Sequence, residues 1–224
     1  MITYYDKHQF FEALRLHPYT SGGTAQSGYV DFKAEPERIS SVLEDFTPHS
    51  DFPAIQTFYK LLKYINGTSS YLESCDCALR PPATHSDKNS TLPISVHGRL
   101  FLMYRDEKLN CSHKHAEWLC GKLMTILDGV DPDLTANEAV IGFTLNPVLH
   151  TVISKGSWRP DGSFDYDDDD PAHGMHTMLS FWGYGNDAIC AFENLERLFK
   201  NIEQGCIELN REIKTGLERS THET

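Results

Sequence analysis

The densest run of metal-ligating side chains is Asp167-Asp168-Asp169-Asp170-Pro171-Ala172-His173-Gly174-Met175-His176, with four carboxylates and two imidazoles in ten residues. Imidazole nitrogen with hard carboxylate oxygen suits Zn, Fe or Mn. Asp168, Asp170, His173 and His176 are therefore candidate metal ligands. The same composition also describes a solvated acidic loop. A second group, Cys111-Ser112-His113-Lys114-His115, stands where a helix is expected to begin. A helix N-terminus favours thiolate, so Cys111 and His113 are candidate ligands for a soft metal. His113 and His115 are two apart and would not share a helical face.

Cys75-Asp76-Cys77 is a third group. In an extended segment, residues two apart point to one side, so these thiols could hold a metal or form a redox pair. Burial as small hydrophobes is the ordinary fate of free cysteine. The fourth feature is an internal echo, Leu149-His150-Thr151-Val152-Ile153-Ser154 and Met175-His176-Thr177-Met178-Leu179-Ser180. Both copies fall on expected strands. If those strands are neighbours, His150 and His176 face one cleft as a general acid/base pair. Arg99 and Arg105 flank the strongest strand and could grip a substrate carboxylate; pairing with local acids competes. No Gly-rich phosphate loop, nucleophile elbow, H-E-x-x-H helix or paired C-x-x-C is present.

Apolar spacing predicts the elements that must position these groups. Lys7 to Leu16 reads as a short helix ended by His17-Pro18, since the residue before proline avoids the helical region. Pro36 opens a second helix, to about Phe46. A third follows Asp51-Phe52-Pro53 and stops at Asn66-Gly67. The period then changes. Leu92 to Tyr104 reads as a strand entering the core, and Ser112 starts a helix ending near Asp128-Gly129. Ala139–Leu145 and Val148–Ser154 read as two strands turning at Asn146-Pro147. Residues 156–175 read as a long loop, Thr177–Tyr184 as a strand, and Asp187 starts the longest helix.

This order predicts an α+β protein: N-terminal helices, then a mixed or antiparallel sheet of about four strands with a long C-terminal helix packed on it. Residues 1–224 are expected to form a single globular domain, with 217–224 a frayed tail. Hydrophobic content is 40% and charged content 23%, so a folded core is expected.

Net charge is −12. That argues against direct nucleic-acid binding, which needs clustered Lys and Arg, and against anionic lipid surfaces. Met1 to Lys7 has no basic, apolar leader pattern, and no apolar run is long enough to cross a membrane. The expectation is a cytoplasmic protein with its six cysteines reduced.

Two functions follow as expectations. One is a small metal- or haem-dependent enzyme acting on a small-molecule substrate, with a His/Asp/Cys site holding Zn, Fe or haem. The other is a non-enzymatic acidic protein that binds a basic partner, of toxin-neutralising or nucleic-acid-mimic type.

Overall fold

Along Ile94–Tyr104 and Ala139–Leu145 apolar residues recur at every second position, the period of a strand packed on one face. The computed structural model describes residues 2–6, 15–17, 30–85, 90–150, 156–158, 164–166 and 173–222. Two strands come first, β1 (Ile2–Asp6) and β2 (Arg15–His17). Two 3-10 turns, Pro36–Arg38 and Thr47–His49, flank α1 (Ile39–Val42), and α2 follows (Pro53–Asn66). Next come β3 (Leu72–Leu79), β4 (Ala83–Thr84), β5 (Ile94–Tyr104), α3 (Glu107–Asn110) and α4 (His113–Val130). The chain continues through β6 (Ala139–His150), the small hairpin β7 (Gly156–Trp158) and β8 (Phe164–Tyr166), β9 (His173–Gly185) and α5 (Ala188–His222).

The main sheet runs β1-β6-β9-β5-β3, with β2 also on β6 and β4 on β5. The β6–β9, β9–β5 and β5–β3 pairs are antiparallel; β1 and β2 lie parallel to β6. The α+β architecture expected from the element order is present, with α5 packed on the sheet. Strand alternation sorts the two faces. Leu100, Leu102, Ile141, Phe143, Leu179 and Phe181 point to the helices, where the tilted rings of Phe58 and Phe199 have centroids 4.7 Å apart. The other face carries Cys75, Phe101, Met103 and Met178 as a separate apolar cluster.

Several local expectations change. The helix expected from Pro36 to about Phe46 is split: a 3-10 turn at Pro36–Arg38 leads into α1, which ends at Val42. The segment ending at Leu16 is not helical there: Arg15–His17 is strand, paired with Val148–His150. Extension at His17 is what Pro18 imposes on its predecessor. Asn146-Pro147 makes no turn; β6 runs through it, with Pro147 opposite Met175 of β9. On the other side, β1 pairs with Val140–Thr144 and β2 with Val148–His150. Proline therefore falls between the two partners, where no described strand needs its missing N–H. The expected loop at 156–175 contains the β7–β8 hairpin. On α5 the apolar stripe is buried from Ala191 onward, while Ile189 is exposed. The first turn of α5 closes on β9 at Gly185, where a Cβ would stand 2.3 Å from the Ala191 nitrogen.

The sheet is strongly curled. β2 and β3 lie at opposite ends of the strand order, and four spacings of about 4.8 Å would hold the edges of a flat sheet about 19 Å apart. Yet His17 Nε2 of β2 is 3.6 Å from Glu73 Oε1 of β3. Right-handed twist accumulated over the strands brings the edges together at one end.

Candidate metal centre

Where the edges meet, three ligand-type side chains converge. His17 and His150 are register partners on parallel strands, so both rings leave the same face side by side. Their centroids are 5.6 Å apart and the rings are inclined at 66°. Both are buried. Glu107, the first residue of α3, brings Oε1 to 3.7 Å from His17 Nδ1. One donor atom from each of His17, Glu107 and His150 lies within 4.8 Å of the others. Among the described residues this is the one such group.

Local sequence fixes each member. Asp106 caps α3 by accepting the Lys108 backbone N–H at 3.1 Å. Asn110 ties α3 to β5, accepting the Tyr104 N–H at 2.9 Å and donating to the Tyr104 carbonyl at 2.8 Å. Glu107 is thus held at a fixed height over the sheet. Gly174 on β9 makes room for His150: a Cβ there would stand 2.7 Å from His150 Nε2 and 2.7 Å from the Asn110 carbonyl oxygen. Behind His17, Glu73 faces the other ring nitrogen, and Lys33 donates to its second carboxylate oxygen.

Burial sets the charge states. Desolvation first, then the neighbouring His150 and Lys33, holds His17 down at about 3. Desolvation holds His150 at about 4. Both imidazoles are therefore neutral at physiological pH, the form that ligates metal. Burial raises the Glu73 carboxyl above its ordinary range, against the opposing Lys33 hydrogen bond. Burial likewise raises Glu107, with Lys33 opposing. A bound cation would reverse that penalty on the carboxylates.

The donor set fits a divalent transition metal. Two imidazoles and one carboxylate are the protein ligands of many zinc and non-haem iron sites. Ligands on one tetrahedral ion stand about 3.3 Å apart, so these donors need only a small contraction. Glu73 lies on the far side of His17, as a carboxylate that orients a ligating histidine does. Its 3.6 Å separation from Nε2 is just beyond hydrogen-bond length.

The residues singled out in the sequence are distributed as follows. His150 belongs to the cluster. His176 shares its sheet face but lies opposite Asn146, four positions along β6 from His150, roughly 13 Å of strand. The structure does not bring these two histidines together; His176 instead meets Cys75 at 3.5 Å and the Phe101 ring at 4.5 Å. His173 begins β9 and is exposed. Asp168 and Asp170 lie outside the described residues. Cys111 is exposed, its Sγ 3.6 Å from the Glu107 carbonyl oxygen. His113 is exposed on the first turn of α4 and pairs with Glu117 at 3.3 Å. Ser112 occupies the cap position of α4 without a side-chain hydrogen bond. Arg99 pairs with Asp76 at 3.1 Å, and Arg105 donates to the Asn66 and Gly67 carbonyls at the end of α2.

Cys75 and Cys77 part company. The register slips between Ser74 and Asp76, and a bulge shifts the alternation by one residue. Cys75 joins the Phe101 cluster, whereas Cys77 packs on the helical side. Sequence reasoning missed His17, Glu107 and the supporting Glu73. The one local signal was His17-Pro18, which demands an extended histidine; Glu107 gives none beyond a capping Asp106 before it. Comparison of the chain with known protein families, with curated proteins and with solved structures gives no match.

Proposed function

We propose that this protein is a small metal-dependent enzyme whose metal is held by His17 Nδ1, His150 and Glu107. The observation that carries this reading is the convergence of two neutral imidazoles and a carboxylate from three separate elements, with donors within 4.8 Å. Three protein ligands leave a coordination position for water or substrate, and a metal so bound supplies Lewis acidity and a nucleophilic water at neutral pH. Glu73 holds His17 in its orientation, and Lys33 holds Glu73. Burial excludes bulk water from all but the Glu107 side, which is partly exposed. Activation of a metal-bound water makes hydrolysis the reaction class proposed.

The test is metal analysis and an absorption spectrum of tag-free protein reloaded after chelation. About one equivalent of zinc, manganese or iron with no haem band is expected, falling below a tenth of an equivalent in His17→Ala and His150→Ala. Wild-type protein that stays metal-free at micromolar metal, or that carries a haem band, overturns the reading. Oxygen consumption on loading with ferrous iron would move the reaction class from hydrolysis to oxidation.

A further inference from the structure

The bulge in β3 sends Cys75 toward His176, away from Cys77. Cys75 Sγ and His176 Nδ1 are 3.5 Å apart, although the residues are 101 positions apart in sequence. His176 is buried and its ring lies against Phe101. Cys75 also lines a groove of about 510 Å³ between β3 and the segment Val30–Phe46. Asp76 and Arg99, paired at 3.1 Å, stand in the same wall. Cys77 lines the same groove, but of the two only Cys75 has an imidazole against its thiol, and a cysteine so backed beside a cavity is the arrangement of an activated nucleophile.

We propose that Cys75 and His176 form a second reactive site, a thiol nucleophile with its base, taking small activated acyl compounds (esters or thioesters) from this groove. His176 Nδ1 accepts the Cys75 proton as Sγ attacks the acyl carbon. The bond to the alkoxide or thiolate leaving group breaks, and His176 returns the proton to it. Water then hydrolyses the acyl-thioester and restores the thiol. This sequence balances with water alone. Peroxide reduction at the same thiol would need an external reductant, which nothing in the structure points to.

Four other thiols are raised by burial. Burial raises the Cys120 and Cys206 thiols to about 12. Burial and then Glu107 raise exposed Cys111. Cys77 is raised by burial and then by Asp76.

The experiment is limited alkylation of the whole protein with iodoacetamide at pH 7, mapped by mass spectrometry. Cys75 should react about tenfold faster than the more exposed Cys111, since an ordinary thiol is only a few per cent ionised there. His176→Gln should remove that advantage while leaving the Cys111 rate unchanged, and continued protection of buried Cys206 reports that the variant is folded. p-Nitrophenyl acetate should leave an acetyl group on Cys75, and Cys75→Ser should abolish the corresponding burst of p-nitrophenolate. Chelator should change none of these results, which separates this site from the metal centre. Cys75 reacting more slowly than Cys111 in wild type, or acetylation at Cys111 and not at Cys75, overturns the proposal even if His176→Gln fails to fold.

Discussion

His17 and His150 are ring neighbours because two parallel strands place them in register, and Gly174 is what lets the His150 ring approach β9 closely. Gly174→Ala should push the new methyl into the Asn110 carbonyl and the His150 ring. We expect a loss of about 1–3 kcal/mol, by the usual cost of overpacking, read by urea denaturation, together with weakened metal binding. An unchanged unfolding midpoint and unchanged affinity would contradict the cradle role. Glu73 acts through His17. Glu73→Gln should weaken metal affinity by about 10–100-fold without abolishing it, as loss of a supporting carboxylate does; competition against a chromogenic chelator measures this. At this scale the sequence was half legible. His150 stood out through its strand echo with His176. Glu107 looked like any surface acid, because nothing local marks a residue whose partners arrive from β2 and β6.

Elements are held in place by contacts of two kinds. The aromatic contacts of Phe58, Phe181 and Phe199 join α2, β9 and α5, with centroids 4.7–6.0 Å apart. Phe199→Ala should cost about 3–5 kcal/mol, the range for emptying a buried aromatic site, measured by equilibrium unfolding. Arg197 on α5 pairs with Asp131 at 3.2 Å and Glu138 at 3.4 Å, fastening the α4–β6 connection. Both carboxyls are held below their ordinary values. At Asp131 desolvation opposes the shift and Arg197 outweighs it; at Glu138 the Thr135 backbone N–H leads. A lowered carboxyl gives stability that is present above its unfolded value and is lost as pH falls through the folded value. Arg197→Met should therefore cost about 1 kcal/mol or less at pH 7, and the deficit should shrink below about pH 4. A deficit constant with pH would show that lost packing, not charge, is responsible. β5, β9, the two halves of β6 and α2, α4 and α5 were legible because their apolar periods run for several turns or repeats; β3 was not, since Leu72–Leu79 has no clean alternation and is broken by a bulge. β2 was not, since a three-residue strand has no period, and the continuity of β6 through Pro147 depends on which neighbours flank it.

The whole molecule turns on curvature. A flat sheet would hold His17 and Glu73 on distant edges, and Cys75 and His176 would line an open face. The curl gathers both pairs on one concave side, while the helices cover the other. No pattern in one strand encodes this, so the three-element site was invisible in the sequence; of its elements only β6 was read there, as two strands. Among the described residues no helix is long and apolar enough to cross a membrane. If the curl creates a metal site, metal should stabilise the fold: at one hundred times Kd the gain is about 2.7 kcal/mol, seen as a rise in Tm that depends on metal concentration. The most direct test is a Co(II) titration of chelator-stripped protein followed by visible absorption. The structure predicts saturation at one equivalent with the strong d–d bands of a low-symmetry four- or five-coordinate site, and loss of those bands in each of His17→Ala, Glu107→Gln and His150→Ala. A wild-type spectrum indistinguishable from aqueous Co(II) would contradict the account.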